Sequence, residues 1–184
     1  MSPHAPGARF SRLRESKVTE QILQASFPVV LKHEIAVRGP AGKSAQQFEQ
    51  ALSRALAAFA RRPHFFLEHV RACTVSEGRD DLGRLVLCRE LDFGNFVFQD
   101  EVLFVSPLQT VYCVPELEQT PASTFSIRVD PGEPLRISFT YREDIKAGLS
   151  DNFHVMTLRK NAWKAKDRDV IGRILERIGG TIVS

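Results

Sequence analysis

The strongest constraint on the fold of this chain is a change of sequence period at about residue 70. From there to residue 143, apolar and polar residues alternate in short segments, whereas residues 151–178 repeat their apolar residues at helical intervals. A period of two is typical of strands with one buried face, and spacings of three and four residues are typical of an amphipathic helix. Such a chain is expected to bury one sheet against one long helix.

Six strands are predicted in the alternating region, at about 70–77, 84–92, 96–106, 108–116, 122–130 and 134–143. The segments between them are short and contain turn-forming residues, such as Gly94-Asn95 and Asp130-Pro131-Gly132. Short gaps of this kind favour antiparallel hairpins, because parallel strands need long crossover connections. The long helix is expected to end at Gly179-Gly180, since glycine adopts the backbone conformation that commonly follows a helix.

The segment before these strands supplies one more strand and two helices. Residues 29–38 alternate as a strand, which Gly39-Pro40-Ala41-Gly42 ends. Ser44 and Gln47 have capping-box spacing, so a helix is predicted to follow and to stop before Pro63, where a second short helix starts. The predicted fold is α+β: a seven-stranded antiparallel sheet curves around the C-terminal helix and leaves room for a cavity.

Residues 1–26 differ from the rest of the chain and are predicted to form an extension, partly disordered or a short helix. Pro3, Pro6 and Gly7 open this segment, and its basic residues outnumber its acidic ones. The remaining residues, 27–184, are predicted to be one ligand-binding domain. A targeting, membrane-surface or partner-binding role for the extension stays open as an alternative.

Composition excludes several functional classes. The 184 residues carry a formal net charge of +3 and are 43% hydrophobic, a globular balance that argues against disorder and against a dedicated nucleic-acid-binding protein. No apolar run reaches the roughly 20 residues of a membrane-spanning helix, and no secretory signal pattern is present. We expect a cytoplasmic protein with no membrane span, no nucleic-acid partner, no metal and no cofactor; its oligomeric state stays open.

One polar or ionisable residue interrupts the apolar face of each of four predicted strands. Alternation assigns His33, Arg89, Glu101 and Tyr141 to faces that point toward the helix. A buried carboxylate needs a partner, so Arg89 is predicted to hold Glu101 in a bidentate contact. His33 and Tyr141 are then placed for acid–base chemistry or for orienting a ligand.

Two alternatives stay open for these residues. They could form an internal ion pair and a satisfied histidine that anchor the sheet beside an inert cavity. A bulge in the strand 96–106 would also reverse its faces, exposing Glu101 and burying Asp100 instead.

Phenylalanine dominates the aromatic residues, with 13 Phe against two Tyr and one Trp. Its ring brings apolar surface without a polar tip, which suits a core or a cavity wall. The residues expected to contact a ligand are Phe48, Phe65, Phe66, Leu87, Leu103, Phe139, Met156 and Trp163. Phe104 is a further wall candidate, although its position has the opposite parity to Glu101.

Four stretches follow one another in an order that is known from a protein superfamily. They are Leu31-Lys32-His33-Glu34-Ile35, Arg62-Pro63-His64-Phe65-Phe66, Asp100-Glu101-Val102-Leu103 and Ile137-Ser138-Phe139-Thr140-Tyr141-Arg142. Over about residues 28–178 the chain resembles the START-type, pollen-allergen-like (SRPBCC) helix-grip superfamily. More narrowly, it resembles a branch that includes an accessory protein of the acetylaranotin biosynthetic cluster. The glycine-rich loop of the plant allergens is absent here, so their phosphate or nucleotide contacts are not expected.

The resemblance implies a protein for hydrophobic ligands, in a superfamily that includes carriers, cyclases and hydrolases. We expect the chain to bind a hydrophobic or aromatic small molecule of specialised metabolism between the sheet and the last helix. The alternative is a cofactor-independent cyclase, dehydratase or isomerase of a natural-product pathway, similar to polyketide cyclases. It would use His33, Glu101 and Tyr141 as acids and bases, with Arg89 steadying Glu101 or an oxyanion. A structural or partner-binding module is a third hypothesis, which rests on the basic extension.

Overall fold

The computed structural model describes residues 27–116, 121–144 and 153–183. The extension predicted at residues 1–26 lies outside the described residues, so the domain boundary near residue 27 stays a prediction.

One antiparallel sheet of eight strands, within the described residues, has the order β2-β3-β4-β5-β6-β7-β1-β8. The strands are β1 Val29–Arg38, β2 Ala72–Arg79, β3 Leu85–Asp92, β4 Val97–Ser106, β5 Gln109–Val114, β6 Ser123–Asp130, β7 Leu135–Glu143 and β8 Thr181–Ile182. The first seven confirm the predicted sheet. The eighth was not predicted: it is a two-residue strand that pairs with the end of β1.

Two α-helices and one short 3-10 turn accompany the sheet. They are α1 Ala45–Arg61, the 3-10 turn Pro63–Phe65 and α2 Phe153–Ile178. The predicted capping box opens α1: Ser44 Oγ accepts from the Gln47 amide at 3.2 Å, and the Gln47 side chain accepts from the Ser44 amide at 3.0 Å. After α2, Gly179 takes a left-handed φ of +81°, which glycine adopts without strain. Neither described helix is long and apolar enough to cross a membrane.

The main core lies between the two helices and one side of the sheet, which we call the inner face. α1 contributes Phe48, Leu52, Leu56 and Phe59, α2 contributes Val170, Ile171, Ile174 and Leu175, and the central strands contribute residues such as Ile35, Ile137 and Phe139. Both helices therefore bury one apolar stripe each against the same sheet face, which is the two-layer arrangement that the sequence period predicts.

The faces of β4 are the reverse of those predicted. β3 and β4 pair without a register shift from Val86 to Asp92, and this register sets Arg89 opposite Asp100 and Cys88 opposite Glu101. Asp100 is buried on the inner face, whereas Val97 and Val105, predicted inside, are 55% and 37% exposed. The alternation of apolar and polar residues did not identify the inner face of β4, because this strand is apolar on both faces. One face carries Val97, Leu103 and Val105, and the other carries Phe98, Val102 and Phe104.

Candidate functional site

A buried carboxylate on α2, Asp167, holds three polar side chains against the inner face of the sheet. Its side chain is 2% exposed, and His33 Nε2 lies 2.8 Å from Oδ2. The Tyr141 hydroxyl donates to the same carboxylate and lies 2.8 and 2.7 Å from its two oxygens. Lys166 Nζ lies 3.3 Å from Oδ1 and donates to the Tyr141 hydroxyl at 3.1 Å. We call these four residues the Asp167 cluster.

Strand pairing explains how the cluster is assembled. β1 and β7 are neighbours, with His33 opposite Phe139 and Leu31 opposite Tyr141, so both polar side chains extend from the inner face. The Phe139 ring stacks on the imidazole, with centroids 4.9 Å apart and planes 9° apart, which fixes the plane of His33. The structure thus brings His33 and Tyr141 together from strands that are far apart in sequence.

Sequence reasoning missed Asp167, which lies among the many charged residues of α2 and is not one of the predicted site residues. The signal was present in its spacing. Asp167 precedes the buried Val170 and Ile171 by three and four residues, so it shares their side of α2. An acidic residue on the apolar stripe of a helix needs buried partners, and those partners are His33 and Tyr141.

Aromatic rings surround the cluster and extend toward solvent. Trp163 stacks on Tyr141, with centroids 4.5 Å apart and planes 2° apart, and Phe125 stacks on Tyr141 at 4.6 Å. Lys166 Nζ lies 4.6 Å from the Phe125 centroid, and the Arg159 guanidinium lies 4.8 Å from that of Trp163. Trp163 and Phe125 are only partly buried, and the Lys166 side chain is 40% exposed. A half-open aromatic surface therefore adjoins the buried carboxylate.

Burial and the adjacent carboxylate keep Tyr141 protonated. Desolvation of the phenol, the charge of Asp167 and the hydrogen bond donated to Asp167 all raise the pKa of Tyr141 far above its ordinary value of 10.0. Tyr141 is therefore a hydrogen-bond donor and not a base. The contact with the Asp167 carboxylate fixes the orientation of the His33 imidazole.

A second buried carboxylate, Asp100, is held differently. Arg89 donates to both of its oxygens, from Nε to Oδ1 at 2.8 Å and from Nη2 to Oδ2 at 2.5 Å. The remaining Nη1 donates to the Ala60 carbonyl at 2.7 Å, which ties the end of α1 to the sheet. Arg89 was predicted to hold Glu101, and that pairing is wrong, because Glu101 lies on the outer face with its carboxylate 4.0 Å from Cys88 Sγ.

Four predicted ligand contacts are core residues instead of parts of an open wall. They are Phe48, Phe66, Leu87 and Phe139, all buried in the main core. Leu103 is buried on the outer face, opposite Val111, so its predicted position is corrected together with that of Glu101. The reason is the same: β4 turns its other face inward.

Three predicted contacts do reach accessible surface. Trp163 belongs to the aromatic surface of the Asp167 cluster, and Met156 is half-buried on the same helix, where its sulfur accepts from Arg159 at 3.6 Å. Phe65 is 51% exposed and lines a separate cavity beside α1. Phe104, the further candidate, lies on the inner face and packs against the core while partly buried.

Comparison with protein families gives one match. The model of the family "Acetylaranotin biosynthesis cluster protein L" (AtaL) covers residues 39–178. No curated protein matches the chain significantly.

Comparison with solved structures shows which known fold this chain shares. The di-domain ARO/CYC StfQ from the steffimycin biosynthetic pathway aligns over 82% of this chain with a TM-score of 0.59 and 12% identity; the chain spans 52% of StfQ, about half its length. Ara h 8.0201 aligns over 79% of this chain and 97% of its own, with a TM-score of 0.53 and 12% identity. The Zhui aromatase/cyclase from Streptomyces sp. R1128 aligns over 81% and 92%, with a TM-score of 0.51 and 11% identity. At such identities the likeness concerns the fold alone.

Proposed function

The chain belongs to the family of acetylaranotin biosynthesis cluster protein L, and on this basis we propose that it binds a hydrophobic, aromatic small molecule of specialised metabolism. Its fold is the helix-grip fold of the START-type, pollen-allergen-like superfamily, as the resemblance in sequence implied. The proposed site is the Asp167 cluster with its aromatic surroundings, between the inner face and α2. StfQ and Zhui, which share the fold, are ARO/CYC proteins, and this supports a flat, oxygenated ring system as the ligand.

The observation that carries the proposal is the half-open aromatic surface beside a buried carboxylate. Trp163 and Phe125 flank Tyr141 from the inner side of the fold and yet remain partly exposed. Rings of this kind give a flat aromatic ligand large contact area in a stacked geometry.

Lys166 supplies the polar contact for such a ligand. An ammonium group has three donors, and two of them are directed at Asp167 and the Tyr141 hydroxyl. The third is available to a ligand carbonyl or phenolate, and the 40% exposure of the side chain makes Lys166 the cluster member that a ligand reaches from solvent.

The Asp167 cluster also favours a second candidate function, an acid–base enzyme of a natural-product pathway. In a cofactor-independent cyclisation or dehydration, His33 would take a proton from a carbon next to a carbonyl group. Lys166, which has a third donor available, would then donate a hydrogen bond to the enolate oxygen that forms, while Tyr141 keeps donating to Asp167. Glu101 and Arg89 have no part in this scheme, because Glu101 faces outward and Arg89 is held by Asp100.

The single tryptophan of the chain provides the test, because Trp163 lies in the proposed site. Titration with 1,8-dihydroxyanthraquinone is expected to quench its fluorescence to saturation and to raise the melting temperature. Lys166→Met should weaken this binding by roughly fivefold, the effect of one charge-assisted hydrogen bond at a half-exposed position. Lys164→Met, an exposed lysine on the same helix, is the matched control and should bind as the wild type does.

Absence of both quenching and a melting shift would contradict the binding proposal. The two candidate functions separate in the same experiment. An enzyme converts a poly-β-keto substrate to a new species that chromatography resolves, and His33→Gln abolishes the conversion while binding persists. A carrier returns the compound unchanged in both proteins.

A further inference from the structure

A separate cavity of about 500 Å³ lies at the edge of the sheet, beside β2. The end of α1, the 3-10 turn and the edge strand form its lining, which consists of Arg61, Arg62, His64, Phe65, Cys73, Val75 and Glu77. No residue of the Asp167 cluster lines it. We call it the Arg62 cavity.

The 3-10 turn holds its outward side chains in place. Pro63 and Phe66 are buried, and the Phe66 amide donates to the Pro63 carbonyl at 2.9 Å. Phe66 meets Phe59 edge to face at 5.7 Å, and Arg177 donates to the Phe65 carbonyl at 3.0 Å. Pro63 and Phe66 are one 3-10 turn apart and anchor the same side of the turn, so the side chains between them face the cavity in a fixed arrangement.

The charges of the Arg62 cavity do not balance. Arg61 donates to Glu77, with 3.0 Å between Nε and Oε1, and both side chains are substantially exposed. Within the described residues, the Arg62 guanidinium forms no hydrogen bond or ion pair. His64 Nδ1, a buried atom at the same cavity, also has no hydrogen-bond partner in the described part of the chain. The lining therefore carries one positive charge that no lining carboxylate compensates, on a guanidinium that is accessible from solvent.

The same cavity has an apolar side. Phe65 is 51% exposed, with its ring 4.3 Å from that of His64. Cys73 and Val75 contribute from the inner-face positions of β2, opposite Leu91 and Arg89. A large exposed ring next to an unpaired guanidinium matches a ligand that is both aromatic and anionic.

We propose that the Arg62 cavity is a second small-molecule site, which binds an aromatic carboxylate. The carboxylate accepts two parallel hydrogen bonds from the Arg62 guanidinium, and the ring lies against Phe65 and the His64 edge. A guanidinium matches a carboxylate better than a lysine would, because its donors form a planar fork. This site is independent of the ligand proposed for the Asp167 cluster.

Calorimetric titration with 2-naphthoate tests the site. Arg62→Ala is expected to weaken binding by roughly tenfold, as for one lost charge-assisted pair, and Phe65→Ala by roughly threefold through lost ring contact. Arg136→Ala, which removes an exposed arginine on β7, is the control and should leave the affinity unchanged. Both cavity residues are exposed, so far-ultraviolet circular dichroism should show an intact fold for each variant.

Glu77→Gln gives the sharpest test, because the proposal predicts that this variant binds 2-naphthoate more tightly than the wild type does. Without the Glu77 carboxylate, Arg61 becomes a second free guanidinium, and 2-naphthoate should bind roughly threefold more tightly, more so at low salt. A role of these residues in folding alone would not produce tighter binding.

Three results would overturn the proposal: wild-type affinity in Arg62→Ala, equal binding of the neutral analogue 2-naphthalenemethanol, or displacement of 2-naphthoate by equimolar inorganic phosphate. Wild-type affinity in Arg62→Ala would place the ligand elsewhere. Equal binding of the neutral analogue would show that the carboxylate is not recognised, and displacement by phosphate would show that the ring is not recognised. Failure here is distinguishable from failure at the Asp167 cluster, because Trp163 fluorescence reports on that cluster and Trp163 does not line the Arg62 cavity.

Discussion

Asp100 and Asp167 are both buried carboxylates beneath the helices, and their partners differ in kind. Asp100 receives both of its hydrogen bonds from Arg89, a side chain that stays charged at any pH a protein experiences. Asp167 receives its contacts from an imidazole, a phenol and a half-exposed ammonium group. Of these three groups, the phenol is held protonated, and the ammonium group is the one most open to solvent.

This difference distinguishes the Arg89–Asp100 pair, which has a structural role, from the Asp167 cluster, whose partners include a half-exposed lysine. Arg89 also donates to the Ala60 carbonyl, so the Asp100 pair joins α1, β3 and β4. The Asp167 cluster joins α2 to β1 and β7 and leaves Lys166 with one donor to spare. Both arrangements hold elements of the fold together, and only the Asp167 cluster includes a half-exposed charged side chain.

Removing the arginine of the structural pair should have the largest effect. Arg89→Met leaves the Asp100 carboxylate buried without a partner, at a cost of about 3–5 kcal/mol of unfolding free energy measured in urea. The double variant Arg89→Met/Asp100→Leu should recover most of this loss, because no charge stays buried. Arg136→Met, in an exposed pair with Glu34, is the control and should cost under about 1 kcal/mol. A loss no greater in Arg89→Met than in the control would refute the distinction.

Neutralising the other carboxylate should cost less. Asp167→Asn keeps an oxygen that accepts from Tyr141 and loses the charge opposite His33 and Lys166. We expect a loss of about 1–3 kcal/mol in the same urea measurement, since Lys166 can turn to solvent and the asparagine oxygen can still accept hydrogen bonds. If Asp167→Asn were more destabilising than Arg89→Met, the Asp167 cluster would be the main structural pair.

The smallest effect at neutral pH is expected from Tyr141→Phe, about 1 kcal/mol for the lost hydrogen bond. Its pH dependence is more informative. The pKa of Tyr141 is raised by burial and by Asp167, so above its ordinary value of 10.0 the unfolded chain ionises first. Wild-type stability should then fall by about 1.4 kcal/mol per pH unit for this tyrosine, a loss that Tyr141→Phe escapes.

Urea titrations between pH 8 and pH 11 check this expectation. The two proteins should converge and then cross as the pH rises above about 10. Tyr112, whose pKa is also raised by burial, is present in both proteins and contributes equally to both slopes. Parallel curves would show that Tyr141 is not held protonated by its surroundings.

The elements of the fold were predictable because each carries its own period. The capping box at Ser44, the hairpin gaps and the glycine after α2 are local signals, and they mark the elements close to their observed bounds. The strand β8 gives no such signal, because two residues contain no periodicity. Its pairing depends on the chain returning to Val37 and Arg38, a contact that only the tertiary structure shows.

The candidate site was predictable only in part, for two physical reasons. His33 and Tyr141 each interrupt an otherwise apolar face, so alternation alone assigned them inward. β4 is apolar on both faces, so alternation could not choose between Asp100 and Glu101; the buried arginine opposite Asp100 decides it. Asp167 has the helical spacing of a buried residue, but the sequence does not identify the partners of a single acidic residue among the many charges of α2.

The order of strands in the sheet has a consequence for folding. The strands β2 to β7 join neighbours in sequence, whereas His33 on β1 and Asp167 on α2 stand 134 residues apart. Loop-closure entropy opposes such distant contacts more than it opposes hairpins. The Asp167 cluster therefore requires nearly the whole domain to be assembled, and a partly folded chain does not form the proposed site.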